Sequence, residues 1–325
     1  MSERVVGDIV GRAPALADST RGITPLHASQ SLEDALASFR RQHVGRLPVV
    51  DDRRSVDSVT EAEVIWSLET DAELGPSIRA VSTDISPNDE MFAIERVRAF
   101  YLWIGASAIR CIRRSMGLVD KQEARNILDF ACGHGRVLRM LRVAFPDAEL
   151  TACDVLQDGV EFCAETFGAR GVLSHPDPAR VTIDGCFDLV WSGSLFTHLA
   201  MPRWSGFLDL IESVLEPDGL FLFTVQGRHI ADSWRNGVAE PTHPEKVMDR
   251  ILHDYETAGF GYSDYTGMRD WGDALVRPEW VRATIAGRDG LELVDYLESG
   301  WAGAQDMVTC LHRPGGRGLA TRTRT

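Results

Sequence analysis

The sequence lacks a long hydrophobic run and an excess of basic residues. No stretch of its 325 residues approaches the roughly 20 apolar residues that cross a bilayer, and charges interrupt the first residues, MSERVVGDIVGRAPALADS. Lys and Arg number 34 against 48 Asp and Glu, which opposes a protein whose affinity rests on neutralising nucleic-acid phosphates. We therefore expect a cytoplasmic chain with no membrane span and no nucleic-acid partner.

Paired cysteine motifs are also absent. The six cysteines stand at positions 111, 132, 153, 163, 186 and 310, and no two have C-x-x-C spacing. Several lie in apolar segments, where cysteine behaves as a small buried hydrophobe. The sequence therefore predicts neither a zinc site nor a disulfide framework. Its 44% apolar content is enough for the core of one large domain or two modest ones.

A polar, turn-rich stretch, STDISPNDE at residues 82–90, divides the chain. Before it, residues 22–70 have the pattern of a small α/β unit, with strands at RLPVVDD and 56–59 and a helix at EAEVIWSLE. After it, residues 91–117 have the apolar spacing of one long helix. We predict an N-terminal unit over 1–81, a linker and helix over 82–125, a main domain over 126–312 and a disordered tail over 313–325.

Strand and helix patterns alternate from residue 126 onward, as in an α/β fold with a mostly parallel sheet. NILDF, AELTACD, GVLSH, CFDLVWSG and LFLFTVQG predict five strands, and LELVDYLE and DMVTCLH predict two more. Residues 228–275 lose this rhythm and are rich in Gly, His, Asp and aromatic residues. We interpret them as an irregular substrate lid, because long aperiodic loops in compact domains are usually functional or disordered.

A glycine-rich turn directly follows the first strand of the main domain, in NILDFACGHGRVLRML at residues 126–141. A strand, a glycine turn and a helix bring backbone N–H groups to the carboxyl edge of a sheet, where nucleotide-like ligands bind. Gly133 and Gly135 would let a ligand approach the backbone. Asp154 stands 21 residues after Gly133, at the end of the second strand, where its carboxylate can accept hydrogen bonds from both ribose hydroxyls.

Two cofactors fit this turn, and the neighbouring residues distinguish them. A dinucleotide fingerprint has a third small residue where this sequence has Leu138. Asp129, four residues before Gly133, can bind a cationic, amine-bearing ligand rather than a pyrophosphate. The charges therefore favour S-adenosylmethionine (SAM) over NAD, and an NAD-dependent oxidoreductase is the more distant alternative.

LDFACGHG resembles the first motif of class I SAM-dependent methyltransferases, commonly L-D-x-G-C-G-x-G, and the resemblance covers about residues 92–312. It implies a Rossmann-like, seven-stranded methyltransferase sheet with a reversed last strand, and a transferase that uses SAM. Ala131 stands where the motif has its first glycine. The cofactor-binding residues that the resemblance implies are Tyr101, on the helix before the sheet, Asp129, Ala131, Gly133, Gly135, Asp154, Val155, Ser192 and Ser194.

The resemblance also implies a place for several of these residues along the cofactor. Asp129 would lie near the methionine amino group, Asp154 at the ribose and Val155 beside the adenine. Ser192 and Ser194, in VWSGS, would flank the methionine part. The acceptor of the methyl group is then expected over the ends of the fourth and fifth strands of the domain.

His198 in SLFTHL and His229 in VQGRH follow those two strands. An imidazole titrates near neutral pH, so both residues are candidate general bases for an acceptor hydroxyl. Arg228, Tyr255 and Trp301 are the candidate substrate-binding residues. HGRVLR, WSGSLFTHL and QGR resemble segments of bacterial methyltransferases that act in glycan assembly. We therefore expect O-methylation of a sugar, a glycan or another small polar acceptor.

RLPVVDD followed by VDSVTEAEVI resembles a single cystathionine-β-synthase (CBS) motif. That fold usually works in pairs and often binds adenosyl ligands, so the resemblance implies a homodimer through the N-terminal unit, or adenosyl sensing. Thr60 is followed by Glu63 where the family has T-x-x-D, and Asp57 stands where glycine is common. The alternatives are a degenerate cap and, for the whole chain, a non-catalytic sensor of adenosyl ligands.

Overall fold

The structure is a computed structural model that describes residues 24–27, 29–30, 34–35, 38, 46–51, 54–60, 81–95, 98–237 and 241–315. The chain divides into two compact units, the first comprising residues 1–81 and 90–106 and the second residues 82–89 and 107–325. The helix predicted at EAEVIWSLE, Glu63 within it and the tail beyond residue 315 lie outside the described residues.

The first unit contains a small sheet. Strands β1 (Leu26–His27) and β2 (Arg46–Asp51) are parallel, and β2 pairs with β3 (Arg54–Thr60) in antiparallel fashion. Helices α1 (Glu90–Glu95) and α2 (Arg98–Leu118) follow along the stretch predicted as one helix over 91–117, and residues 96–97 between them lie outside the described residues. The likeness of this unit to a CBS motif stays a prediction.

The second unit is built on a seven-stranded sheet. Its strands are β4 (Asn126–Phe130), β5 (Glu149–Asp154), β6 (Arg170–Leu173), β7 (Phe187–Ser192), β8 (Leu215–Val225), β11 (Leu291–Trp301) and β12 (Gln305–His312). Between β8 and β11 in the chain, β9 (Phe260–Asp264) and β10 (Gly272–Val276) form a separate two-stranded hairpin. The sheet order is β11-β12-β8-β7-β4-β5-β6, and β12 is antiparallel to both of its neighbours. The predicted Rossmann-like sheet with a reversed last strand is confirmed.

Helices pack on this sheet and on the hairpin of β9 and β10. They are α3 (Leu138–Ala144), α4 (Gln157–Phe167), α5 (Met201–Val214), α6 (Arg228–Arg235), α7 (Glu245–Ala258) and α8 (Pro278–Ala286). Trp204, Leu208 and Ile211 follow one face of α5 and join Phe221 and Phe223 of β8 in the main core. Full burial of such a side chain contributes roughly 1.5–3 kcal/mol. None of the helices in the described part of the chain has the length and hydropathy of a membrane-spanning segment.

Most of the described part of residues 228–275 is regular, which corrects the prediction of an irregular segment, while its role as a substrate lid stays a prediction. They form α6, α7 and the antiparallel hairpin of β9 and β10. Helix α7 buries Met248, Ile251 and Tyr255, spaced three and four residues apart, in a small apolar cluster with α6 and β10. Polar residues fill most other positions of EKVMDRILHDYETA, so three buried side chains are a weak periodic signal.

The chain order of the strands opens a crevice at one edge of the sheet. From β4 the chain continues to β5 and β6 on one side, and then returns to β7 and β8 on the other side. Ligands of open α/β sheets bind outside the carboxyl ends of the strands at such a reversal. The ends of β4, β5 and β7 are therefore the place to look for a site.

Candidate functional site

The glycine turn between β4 and α3 is held to the end of β5. The backbone N–H groups of Ala131 and Cys132 both donate to the carbonyl oxygen of Cys153, at 2.8 and 3.2 Å. Ala131 has a φ of 68°, in the left-handed region, which costs a non-glycine residue about 1–2 kcal/mol. Ala131 therefore carries strain that a glycine at this position of the methyltransferase motif would avoid.

Different constraints account for the two glycines of the turn. A β-carbon at Gly135 would lie 2.5 Å from Cε2 of Phe167 and 3.0 Å from Sγ of Cys163, so α4 excludes a side chain there. A β-carbon at Gly133 would meet no atom within 4 Å among the described residues beyond its chain neighbours. Packing thus explains Gly135, whereas Gly133 leaves space that a ligand can use.

Asp154 ends β5 beside this space. Its Oδ2 accepts a hydrogen bond from the N–H of Gly133 at 2.7 Å, and its Oδ1 accepts one from the N–H of Leu156 at 2.9 Å. Burial raises the pKa of this carboxyl, and the same N–H groups oppose the rise. Each oxygen has a second lone pair, so both can still accept from a ribose.

An exposed apolar pair follows Asp154. Val155 and Leu156 are 52% and 47% exposed, although apolar side chains next to a buried strand end are usually covered. Their surface suits the face of a purine ring. Val155 was expected beside adenine, whereas Leu156 was missed because its exposure, rather than its residue type, is the signal.

Asp129 lies on β4, 1% exposed, and its Oδ2 has no hydrogen-bond partner among the described residues. Burial and then the neighbouring charge of Asp154 raise the pKa of Asp129 to about 8, against a backbone hydrogen bond from Leu138. An opposite charge beside a carboxylate favours its ionised form. The buried acceptor atom, together with the space at Gly133, therefore fits the ammonium-bearing end of SAM.

Ser192 and Ser194 lie at and just beyond the end of β7. Ser192 is fully buried, and its hydroxyl has no hydrogen-bond partner among the described residues. The N–H of Ser194 donates to Oγ1 of Thr224 at 2.7 Å, and Nε2 of Gln305 donates to the Ser194 hydroxyl at 2.9 Å. This network, which the sequence did not reveal, fixes the turn after β7. A contact of Ser194 with the cofactor stays a prediction.

His198 belongs to the same turn and contacts the hairpin of β9 and β10. Its Nδ1 lies 2.8 Å from the carbonyl oxygen of Gly272. A carbonyl oxygen only accepts hydrogen bonds, so Nδ1 carries the proton and Nε2 keeps the basic lone pair. Burial lowers the pKa of His198, which favours the neutral imidazole near pH 7. His198 is therefore in the protonation state that a general base needs.

The other predicted acceptor residues lie on α6 and α7. His229 is exposed in the first turn of α6, and Nε of the exposed Arg228 lies 3.8 Å from Oε2 of Glu298. Tyr255 is buried in the apolar cluster of α7, with the guanidinium of Arg277 5.7 Å from its ring centroid. The burial of Tyr255 favours a packing role, and its contact with a substrate stays a prediction.

The two remaining aromatic candidates are packed rings. Trp301, at the end of β11, lies edge-to-face against Trp191 with centroids 5.5 Å apart. Tyr101 belongs to the first unit, on α2, where it is buried and lies edge-to-face against Phe92 at 5.7 Å. Contacts of Trp301 with an acceptor and of Tyr101 with the cofactor stay predictions.

The segment predicted as a linker contacts the glycine turn region. The buried Arg139 of α3 donates from Nη1 to the carbonyl oxygens of Ser82 and Asp84, at 2.9 and 2.8 Å. Nδ2 of Asn88 donates to Oδ2 of Asp158, at the start of α4, at 2.9 Å. Sequence reasoning missed these contacts because they join residues that lie far apart in the chain.

Comparisons with known proteins agree with this geometry. Residues 127–219 match a family described as "Methyltransferase domain". The chain is 31% identical over 137 residues to a fatty-acid O-methyltransferase of Mycolicibacterium smegmatis, covering 41% of this chain and 48% of that protein. It is 26% identical over 111 residues to malonyl-[acyl-carrier protein] O-methyltransferase 2 of Ilyobacter polytropus, covering 34% and 42%. The chain thus spans less than half the length of these curated relatives.

A solved structure of the plantazolicin methyltransferase BpumL in complex with SAH is 14% identical, with a TM-score of 0.47, over 78% of this chain and 97% of that one. The domain match confirms the predicted transferase class and, with it, SAM as the cofactor of that class. Residues 127–219 are therefore the part of the chain that is similar to a methyltransferase domain.

Proposed function

We propose that this chain transfers the methyl group of SAM to an oxygen atom of a small acceptor. The observation that carries the proposal is the buried Oδ2 of Asp129, which has no hydrogen-bond partner among the described residues, on the strand that leads into the glycine turn and the space at Gly133. Asp129 binds the ammonium group, Asp154 accepts from the ribose, and Val155 lies along the adenine. Bound SAM supplies an electrophilic methyl group on a sulfonium.

The protein contributes alignment and a base to this reaction. Methyl transfer is an in-line displacement, so holding the acceptor oxygen opposite the sulfonium is the main contribution. Nε2 of His198 takes the proton of an acceptor hydroxyl as the oxygen–methyl bond forms. His198 is preferred over His229 because its ring is held by the hairpin, whereas His229 lies exposed on α6.

A sugar hydroxyl is the first acceptor class, because it needs the base that His198 offers. A carboxylate on an acyl chain is the second class, and the names of the two curated relatives favour it. Exposed apolar side chains also favour it: Trp271, 38% exposed, has its ring 4.6 Å from that of His198, and Met201, 41% exposed, begins α5 three residues after His198. A carboxylate is already ionised and needs no base.

Binding is the first test. Isothermal titration is expected to show micromolar binding of SAM and S-adenosylhomocysteine, no binding of NAD, and loss of adenosyl binding in Asp154→Ala. Asp147→Ala, an exposed position just before the other end of β5, is the matched control and should bind normally. Absence of adenosyl binding, or binding indifferent to Asp154, would overturn the proposal.

Turnover separates the acceptor classes. Release of S-adenosylhomocysteine is measured with a panel of glycosides, fatty acids and malonyl thioesters. With a hydroxyl acceptor, His198→Gln should lower kcat by about 100-fold or more, while His229→Gln should retain it. With a carboxylate acceptor, His198→Gln should retain most of the activity. Tight binding without turnover on any acceptor would favour the sensor alternative.

The predicted homodimer is a separate question. We propose it from the CBS-like pattern of residues 22–70 alone. Light scattering of the full chain is the measurement, and a mass near 35.9 kDa would contradict the dimer.

A further inference from the structure

A polar cluster of Tyr265, Asp273 and His243 adjoins His198. Oδ1 of the buried Asp273 accepts a hydrogen bond from the hydroxyl of Tyr265 at 2.7 Å. The same Tyr265 oxygen lies 3.3 Å from Nδ1 of His198. His243, also buried, stacks on the Tyr265 ring with centroids 5.3 Å apart, and its Nε2 lies 3.2 Å from Oδ2 of Asp273. That last pair has the distance of an ion pair without hydrogen-bond geometry.

The backbone holds these groups in a fixed relation. The N–H of Gly272 donates to the carbonyl oxygen of His198 at 3.2 Å, and the N–H of Ala274 donates to that of Thr197 at 2.8 Å. A β-carbon at Gly272 would lie 1.9 Å from the carbonyl oxygen of Ser263, so β9 and β10 approach too closely for a side chain there. The hairpin therefore holds Asp273, the residue after Gly272, in a fixed position relative to His198.

The hydrogen-bond directions within the cluster are determined by its chemistry. The hydroxyl proton of Tyr265 points to Asp273, because an ionised carboxylate only accepts. The Tyr265 oxygen is then an acceptor toward Nδ1–H of His198, which it shares with the carbonyl oxygen of Gly272. The order of donors is thus His198 to Tyr265 to Asp273.

We propose that Tyr265 and Asp273 are positioning residues that keep the proton on Nδ1 of His198 and stabilise the imidazolium formed in catalysis. The inference rests on the proposed function. The acceptor proton moves to Nε2 of His198 as the oxygen–methyl bond forms and the methyl–sulfur bond breaks. No proton passes to Tyr265 or Asp273; the carboxylate acts through its charge and through the orientation of the phenol.

A buried charge without a functional reason is disfavoured, because well-packed apolar residues of similar volume stabilise a core as well or better. The charged and titratable groups around His198 include Tyr265 and Asp273 on the hairpin side and His243 before α7. The guanidinium of Arg203, on α5, donates to the carbonyl oxygen of Asp270, in the loop between β9 and β10. Among these groups, Tyr265 is the one within 3.5 Å of the imidazole through a side-chain atom.

The test is nuclear magnetic resonance of the full chain, labelled with ¹⁵N-histidine and saturated with S-adenosylhomocysteine. Among the signals of the nine histidines, that of His198 is assigned as the one that disappears in His198→Gln. We expect neutral His198 to carry its proton on Nδ1. In Tyr265→Phe the pKa of His198 should fall by about half a unit or more, because the link to Asp273 is lost. Tyr262→Phe is the matched control, since the Tyr262 hydroxyl on the same hairpin donates to Asp264 instead.

Asp273→Asn is the second variant, in case Tyr265→Phe folds poorly. It keeps a hydrogen-bond acceptor for Tyr265 but removes the charge, so the Nδ1 proton should remain while the pKa of His198 falls. A neutral His198 protonated on Nε2, or equal titration curves in Tyr265→Phe and Tyr262→Phe, would overturn the inference.

Kinetics with a hydroxyl acceptor provide the functional readout. Tyr265→Phe should lower kcat by about tenfold and shift the acidic limb of the pH profile, with the KM for SAM unchanged. The resonance experiment needs no acceptor, so a failure of the proposed function can be distinguished from a failure of the inference about Tyr265 and Asp273. If His198 titrates as expected but no acceptor is methylated, the proposed function is wrong and only the Tyr265–Asp273 control of His198 stands.

Discussion

At the scale of single residues, Gly133 and Gly135 separate ligand binding from packing. In Gly135→Ala the new β-carbon would lie 2.5 Å from the Phe167 ring, and the residue would be left-handed, so we expect a loss of about 2–5 kcal/mol of stability. Gly133→Ala should cost only about 1–2 kcal/mol. Its methyl group occupies space proposed for the cofactor, however, so the affinity for S-adenosylhomocysteine should fall at least about tenfold. Chemical denaturation and isothermal titration measure the two effects.

Gly168 provides the control for this comparison. It ends α4 with a φ of 63°, and a β-carbon there would also meet no atom within 4 Å among the described residues beyond its chain neighbours. Gly168→Ala therefore introduces the same backbone strain away from the site and should retain full affinity. Equal affinity of Gly133→Ala and Gly168→Ala would mean that Gly133 serves only the backbone conformation.

Asp129 makes the stability of the ligand-free protein depend on pH. Its pKa is about 8 in the folded chain and about 4 in an unfolded one. Between these values the folded state holds a proton that the unfolded state has released, so the free energy of unfolding falls as pH rises from about 4 to about 8. Asp129→Asn should remove this contribution and flatten the decline, while weakening SAM binding. Urea denaturation of the variant and of the wild type at several pH values measures the free energy of unfolding. If this free energy changed with pH equally in both proteins, the raised pKa of Asp129 would be contradicted.

At the scale of elements, regular apolar runs made the sheet predictable. NILDF coincides with β4, and AELTACD exceeds β5 by one residue. The first residues of β8, LEPDG, lie outside the predicted strand LFLFTVQG, because Pro and Gly there indicate a turn by local chemistry. Their pairing with β7 at Leu215 is a tertiary contact, which local patterns do not contain.

Helix α7 tests whether residues 228–275 form a packed element rather than a loose lid. Ile251 is fully buried in its apolar cluster, so Ile251→Ala should lower the free energy of unfolding by about 2–5 kcal/mol. Asp249→Ala, an exposed position on the same helix, should change it by less than about 0.5 kcal/mol. Denaturation with amide hydrogen exchange over 245–258 measures both. Equal, small effects would restore the interpretation of an aperiodic lid.

At the scale of the whole molecule, the cofactor half of the site is local in sequence and the acceptor half is not. Asp129 and Asp154 lie on the consecutive strands β4 and β5, and Gly133 lies in the turn after β4; all three fall within residues 127–219, the segment that matches a methyltransferase domain. The environment of His198 instead comes from residues 243–273, beyond that match. Sequence reasoning therefore predicted the candidate cofactor residues from local motifs and missed Tyr265 and Asp273 as neighbours of His198.

The two units of the chain should respond differently to an adenosyl ligand. A ligand at about 100 times its Kd stabilises the unit that binds it by roughly 2.7 kcal/mol, which corresponds to a rise of roughly 5–10 °C in Tm for a unit of this size. In scanning calorimetry we expect S-adenosylhomocysteine to raise the transition of the unit that contains residues 107–325. Asp154→Ala should abolish the shift, and NAD should cause none. A shift of the first unit instead, unaffected by Asp154→Ala, would place the adenosyl site in the CBS-like unit and favour the sensor over the enzyme.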